Sequence, residues 1–249
     1  MLGASNLARS LAHGVMAART TLGVPLSIHV AMGHGRSYGV QAGWIGKKFS
    51  GIFSCDLWRV LECDSTSPTV AFVTDVGNDL AYEIPFGEIL GWVETCIARL
   101  LRVESQVVLT ELSLGPLERM SQSKFIAFRA LCYPRSRLTR VEMLDRARAL
   151  NAGLVELARS QKTSVFSVPN AWYGLDPLHP RRAHLREYWQ TLFALSTGRQ
   201  NSLDEEYHAW MLRGYLRLLV TAEHISRHPS QPSCRRTIVL RDGTSIAIY

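Results

Sequence analysis

Three residues stand out because their types could together form a nucleophilic system: Ser5 near the amino end, and Asp176 with His179 near the other. A neutral imidazole can take the proton of a serine hydroxyl, and a nearby carboxylate can fix its tautomer. Ser5 lies in Gly3-Ala4-Ser5-Asn6, a small-residue turn leading straight into a helical pattern. A backbone N–H at a helix start favours developing negative charge. Two further blocks have groups suited to such a site. Ala31-Met32-Gly33-His34-Gly35-Arg36-Ser37-Tyr38-Gly39 is a glycine-rich loop that lets backbone approach a ligand. Gly77-Asn78-Asp79 offers a side-chain amide. Each block also has an ordinary reading. Serine caps helices, Gly, Asn and Asp make turns, and a loop histidine is often only a surface residue. The glycine loop is neither a P-loop nor a dinucleotide fingerprint, since no Gly-Lys-Ser/Thr follows and the spacing is wrong.

The elements around these blocks explain why they would converge. Val24–Ala31, Thr69–Thr74, Gln106–Thr110 and Thr163–Val168 are short, near-continuous apolar runs, as expected of strands covered on both faces. Asn6–Thr21, Pro85–Val103 and Leu138–Ser160 repeat apolar residues at helical spacing. This alternation predicts a parallel sheet with right-handed crossovers, and the blocks then fall at the carboxyl ends of strands, where open α/β sheets bind ligands. After about residue 198 the pattern changes. Ser202 opens a long helix to about Ile225, and Thr237–Ile248 reads as a hairpin around Asp242-Gly243. We expect an α/β domain over residues 1–198 and a helix-and-hairpin extension packed on it over 199–249.

The order Ser5, glycine loop, Gly77-Asn78-Asp79, Asp176-x-x-His179 resembles the SGNH hydrolase superfamily, also called GDSL-like esterases and lipases. The likeness runs from about Gly3 to His179, most of the chain. It implies a three-layer α/β/α sandwich with a five-stranded parallel sheet, flavodoxin-like in arrangement. It also implies a serine esterase with Ser5 as nucleophile, His179 as base and Asp176 orienting it. The oxyanion hole would be the Ser5 N–H, the Gly35 N–H and the Asn78 amide, with Gly33 the other candidate in the loop. His34, Asp79, Trp172 and Tyr173 are candidates for substrate contact. Where the family has Gly-Asp-Ser, this chain has Gly-Ala-Ser, and its third block reads Val76-Gly77-Asn78-Asp79 rather than Gly-x-Asn-Asp. Only four residues precede Ser5, whereas the family's first strand needs about five; we expect the start to lie upstream.

Composition bounds the alternatives. The chain has 249 residues, 47% hydrophobic and 20% charged, which excludes a largely disordered protein. No apolar run approaches the ~18 residues of a membrane span. The net charge of +7 comes mostly from scattered arginines, a pattern of solvated faces rather than a basic nucleic-acid surface. Five cysteines without a CxxC motif point away from a disulfide framework or structural zinc. As written, the chain lacks a secretory leader, so the expectation is a cytoplasmic protein acting on a small-molecule ester, without cofactor, metal or nucleic acid. The competing readings are an inert SGNH-like binding protein and a basic nucleic-acid-associated protein.

Overall fold

The computed structural model describes residues 1–43, 48–63, 68–174, 176–198 and 236–249. The helices are α1 (Ser5–Leu22), α2 (Leu57–Cys63), α3 (Asn78–Ala81), α4 (Phe86–Arg102), α5 (Gly115–Glu118), α6 (Gln122–Cys132), α7 (Arg140–Ser160) and α8 (Leu185–Thr197). The strands are β1 (Ser27–Val30), β2 (Val70–Val73), β3 (Gln106–Thr110), β4 (Ser164–Phe166), β5 (Arg236–Val239) and β6 (Ser245–Ile248). The predicted helix over 202–225 lies outside the described residues.

The strands do not form the expected single five-stranded parallel sheet. They form two three-stranded sheets, β1-β6-β5 and β2-β3-β4. In the second sheet, both pairings are parallel. The segment before Ser5 contributes one bridging residue. Leu2 bridges Ala31 on one side and Val73 on the other. Its N–H donates to the Phe72 carbonyl at 2.8 Å and its carbonyl accepts from Thr74 N–H at 2.9 Å. Gly3 passes so close to β2 that an added Cβ would lie 2.3 Å from Thr74 Oγ1, so a side chain there would push the two segments apart.

The hairpin forms around Asp242-Gly243, with Gly243 in the left-handed region at φ 83°. Its role differs from that of an appendage. β6 pairs in parallel with β1, Ser27 opposite Ser245 through Val30 opposite Ile248, and the return strand β5 runs antiparallel outside it.

Alternate residues of β2 and β3 enter two cores. Phe72 and Val108 pack with Leu7, Leu11 and Val15 of α1 and Trp189 and Phe193 of α8. Ala71, Val73, Val107 and Leu109 pack with Val93 and Ile97 of α4 and Leu150 and Leu154 of α7. The period of two in the strands meets the 3.6-residue period of the helices, and each apolar face finds a partner. Trp189 meets Phe72 edge-on, centroids 5.5 Å apart. Start signals agree with packing: Thr139 and Glu142 form a capping box at the head of α7. Among the described residues, no helix is long and apolar enough to cross a membrane.

Candidate active site

Ser5 is the first residue of α1, and its Oγ lies 2.9 Å from His179 Nε2. His179 Nδ1 lies 2.8 Å from Asp176 Oδ2. Asp176 also accepts from the Leu178 N–H at 3.0 Å and from Arg9 Nη1 at 3.1 Å. Partial burial pushes its carboxyl up, but hydrogen bonds from His179, Leu178 and Arg9 and the charge of the His179 ring outweigh this and hold it well below the usual carboxylate range. An ionised carboxylate only accepts hydrogen bonds, so in the neutral ring Nδ1 bears the hydrogen and Nε2 accepts from the Ser5 hydroxyl. The loop carrying Asp176 and His179 is tied to α1, since Asn6 Nδ2 donates to the Leu178 carbonyl at 3.2 Å. A bridge between Tyr173 and Pro180 closes its base.

The head of α1 is capped through space. Ala4 offers no side-chain cap, but Asp75 Oδ2 accepts from Ala4 N–H at 2.7 Å and Leu7 N–H at 3.1 Å. Asp75 adopts φ 61°, a left-handed conformation sparsely used outside glycine, and this turns its carboxylate toward the helix. Among the described hydrogen bonds, the Ser5 N–H has no acceptor. It is one of the four amides at the positive end of an 18-residue helix that lack an intrahelical acceptor, and Asp75 takes the first and last of them.

Asn78, at the start of α3, is held by both ends of its amide. Tyr133 Oη donates to Oδ1 at 3.2 Å, and Nδ2 reaches the Arg36 carbonyl at 3.5 Å, the outer limit of a hydrogen bond. One Nδ2 hydrogen remains for a ligand. Burial pushes the Tyr133 phenol far above its usual range, so it stays a donor. Tyr82 packs edge-on against Tyr133, centroids 5.5 Å apart, and donates to the Gly35 carbonyl at 2.5 Å. Burial pushes the Tyr82 phenol up to about 12.

Ser5, Asn6 and Asn78 share the wall of a cavity of about 160 Å³, which continues past Leu112, Leu117, Met120, Phe125, Phe128 and Met143. Tyr173 lies on this wall too, as do Leu178 and Pro180, which flank His179; His179 itself does not.

Several expected contacts are elsewhere. Asp79 is fully buried and turned away from the cavity: it accepts from the Ser37 hydroxyl and from Tyr38 N–H at 2.9 Å, anchoring the glycine-rich loop. Trp172 is buried and stacks on the His184 ring at 5.5 Å, packing beneath the loop instead of lining the cavity. His34 is exposed on the glycine-rich loop, away from the wall. Gly35 has φ 67°, and an added Cβ would lie 2.9 Å from Tyr82 Oη. At Gly33 a Cβ would meet the Phe49 ring at 2.7 Å. Neither glycine lines the cavity. Three contributors were not singled out for these roles from sequence. Arg9 lies one helical turn after Ser5, a usable signal once Ser5 is suspected. Asp75 and Tyr133 act across 71 and 55 residues, and no local pattern marks such partners.

No protein-family model matches the chain, and a search of curated proteins finds no match.

Proposed function

We propose that the protein is a serine hydrolase of SGNH type that cleaves carboxylic esters through an acyl-enzyme on Ser5. Ser5 Oγ attacks the ester carbonyl carbon as its proton passes to His179 Nε2. Asp176 stabilises the imidazolium through Nδ1. The tetrahedral oxygen takes hydrogen bonds from the Ser5 N–H and Asn78 Nδ2. The intermediate then collapses, the C–O bond to the alcohol breaks, and His179 returns the proton to the departing oxygen. Water attacks the acyl-enzyme with His179 again as base, and the acid leaves with Ser5 restored. In this reading Leu2 stands in for the family's first strand, within a three-layer α/β/α sandwich.

The observation that supports this most is the hydrogen-bonded series Ser5–His179–Asp176, joining residues 174 apart in sequence, with Asn78 on the same cavity wall as Ser5. The test is covalent labelling with a fluorophosphonate, mapped by peptide mass. The expected outcome is a single adduct on Ser5, absent in Ser5→Ala, with p-nitrophenyl butyrate hydrolysis lost in both Ser5→Ala and His179→Ala. Hydrolysis that survives in Ser5→Ala, or an adduct elsewhere, rejects the assignment.

A further inference from the structure

The cavity adjoining Ser5 points to a substrate class. We propose that the ester carries an apolar acyl chain of about six carbons, and that this acyl chain, not the alcohol, occupies the cavity. The inference rests on the esterase reading.

Size comes first. The cavity of about 160 Å³ is close to the ~150 Å³ apolar cavity that accommodates benzene, so about six carbons fill it. Chemistry comes next. Leu112, Leu117, Met120, Phe125, Phe128 and Met143 form a broad apolar stretch of its wall. The acidic and basic wall residues are already engaged. Asp75 caps α1, Glu111 accepts from the Ser167 hydroxyl, and Arg129 Nη1 donates to the Leu138 carbonyl at 2.7 Å. Of the wall's buried polar atoms, Asn6 Oδ1 and Ser136 Oγ lack a hydrogen-bond partner among the described residues. A sugar would need several polar groups aimed at it, whereas an alkyl chain needs only exclusion of water.

Orientation follows from the proton path. The leaving oxygen must receive its proton from His179 Nε2, so the alcohol lies on the His179 side of the carbonyl carbon. The cavity wall includes Ser5 and Asn78, and Leu178 and Pro180 beside His179, but not the His179 ring itself. With the carbonyl held between Ser5 and Asn78, the acyl chain is the part that runs into the cavity.

The experiment measures kcat/KM for p-nitrophenyl esters from acetate to palmitate, and for hexanoate esters of different alcohols. It uses the full chain and two variants of the cavity wall, Met120→Trp and Phe128→Ala. We expect an optimum between butyrate and octanoate, at least ~10-fold above acetate, since each buried methylene is worth a factor of about 4. Changing the alcohol should move the rate far less. Met120→Trp should lower hexanoate turnover by at least ~10-fold while sparing acetate, and Phe128→Ala should shift the optimum to longer chains. An optimum at acetate or palmitate, an optimum unmoved by both variants, or selectivity that follows the alcohol overturns the proposal. Fluorophosphonate labelling of Ser5 and thermal shift with sodium hexanoate against sodium acetate separate the two readings. An unlabelled Ser5 with stabilisation by hexanoate alone removes the esterase and keeps the apolar-chain site. An unlabelled Ser5 with no stabilisation removes both.

Discussion

At the scale of single residues, the Asn78 amide is the group whose placement is least expected from its neighbours. A free asparagine side chain rotates, and an oxyanion donor stabilises a transition state only if it is already aimed. Tyr133 supplies that aim by donating to Asn78 Oδ1, which leaves Nδ2 directed away from the phenol. Removing one oxyanion donor typically costs about 10²–10³ in kcat, so under the proposed esterase mechanism Asn78→Ala should lose that much with KM little changed. Tyr133→Phe keeps the ring against Tyr82 and deletes only the hydroxyl, so a smaller loss of about 3–10-fold in kcat is expected. The informative measurement is the double-mutant cycle. If Tyr133 acts through Asn78, adding Tyr133→Phe to Asn78→Ala costs almost nothing more. Additive losses would mean that the phenol works on something else.

At the scale of elements, the site depends on how α1 begins. Its helical period was readable because Leu7, Leu11 and Val15 fall on one face, and all three are buried. Its cap was not readable, because Asp75 lies across the sheet and the local residue at that position is Ala4. The same contrast recurs elsewhere. α4 has a strong apolar stripe, and both α4 and α7 are predicted within two residues of their observed bounds. α6 went unread because its apolar residues face different ways: Phe125 is buried, while Ile126 and Leu131 are exposed. Leu2 joins two sheets as a single residue, and no periodicity can exist in one residue. The Asp242-Gly243 turn predicted the hairpin, but nothing local named β1 as its partner. Ser5, Asn78, Asp176 and His179 were findable because their types and order are unusual together; the groups that orient them were not. For the cap itself, Asp75→Ala should destabilise the fold by about 1–2 kcal/mol, since two helix-start amides lose their acceptor. Asp75→Asn keeps an acceptor oxygen and tolerates the left-handed backbone, so it should cost less than half as much in urea unfolding. Equal losses in the two variants would show that the carboxylate's charge, not capping, is what matters.

At the scale of the whole molecule, stability should depend on pH through Asp79. This carboxylate is fully buried, and burial pushes its pKa up from 3.8 to about 6, against the opposing hydrogen bonds from Ser37 and Tyr38 N–H. A carboxyl whose folded pKa lies above its unfolded one favours folding most when protonated. Its contribution is therefore fully present below pH 3.8 and is lost as pH rises to about 6, after which it is flat. The size is on the order of 3 kcal/mol. Asp176 has the opposite sign: its lowered pKa contributes stability above pH 3.8 that fades as pH falls further, so the two windows do not overlap. Burying an ionised Asp79 is tolerated because it organises the glycine-rich loop. Ser37 Oγ accepts from the Gly39 and Val40 N–H groups at 3.0 and 2.9 Å, so its own hydrogen is directed to Asp79. Asp79→Ala should lower stability at every pH, because Ser37 and Tyr38 lose their acceptor. It should also abolish the decline between pH 4 and 6. The check is the wild-type minus variant difference in unfolding free energy at pH 4, 5, 6 and 7. That difference should be largest at pH 4 and shrink to a plateau above 6; a difference constant with pH would mean that Asp79 is already ionised at no cost in the folded protein.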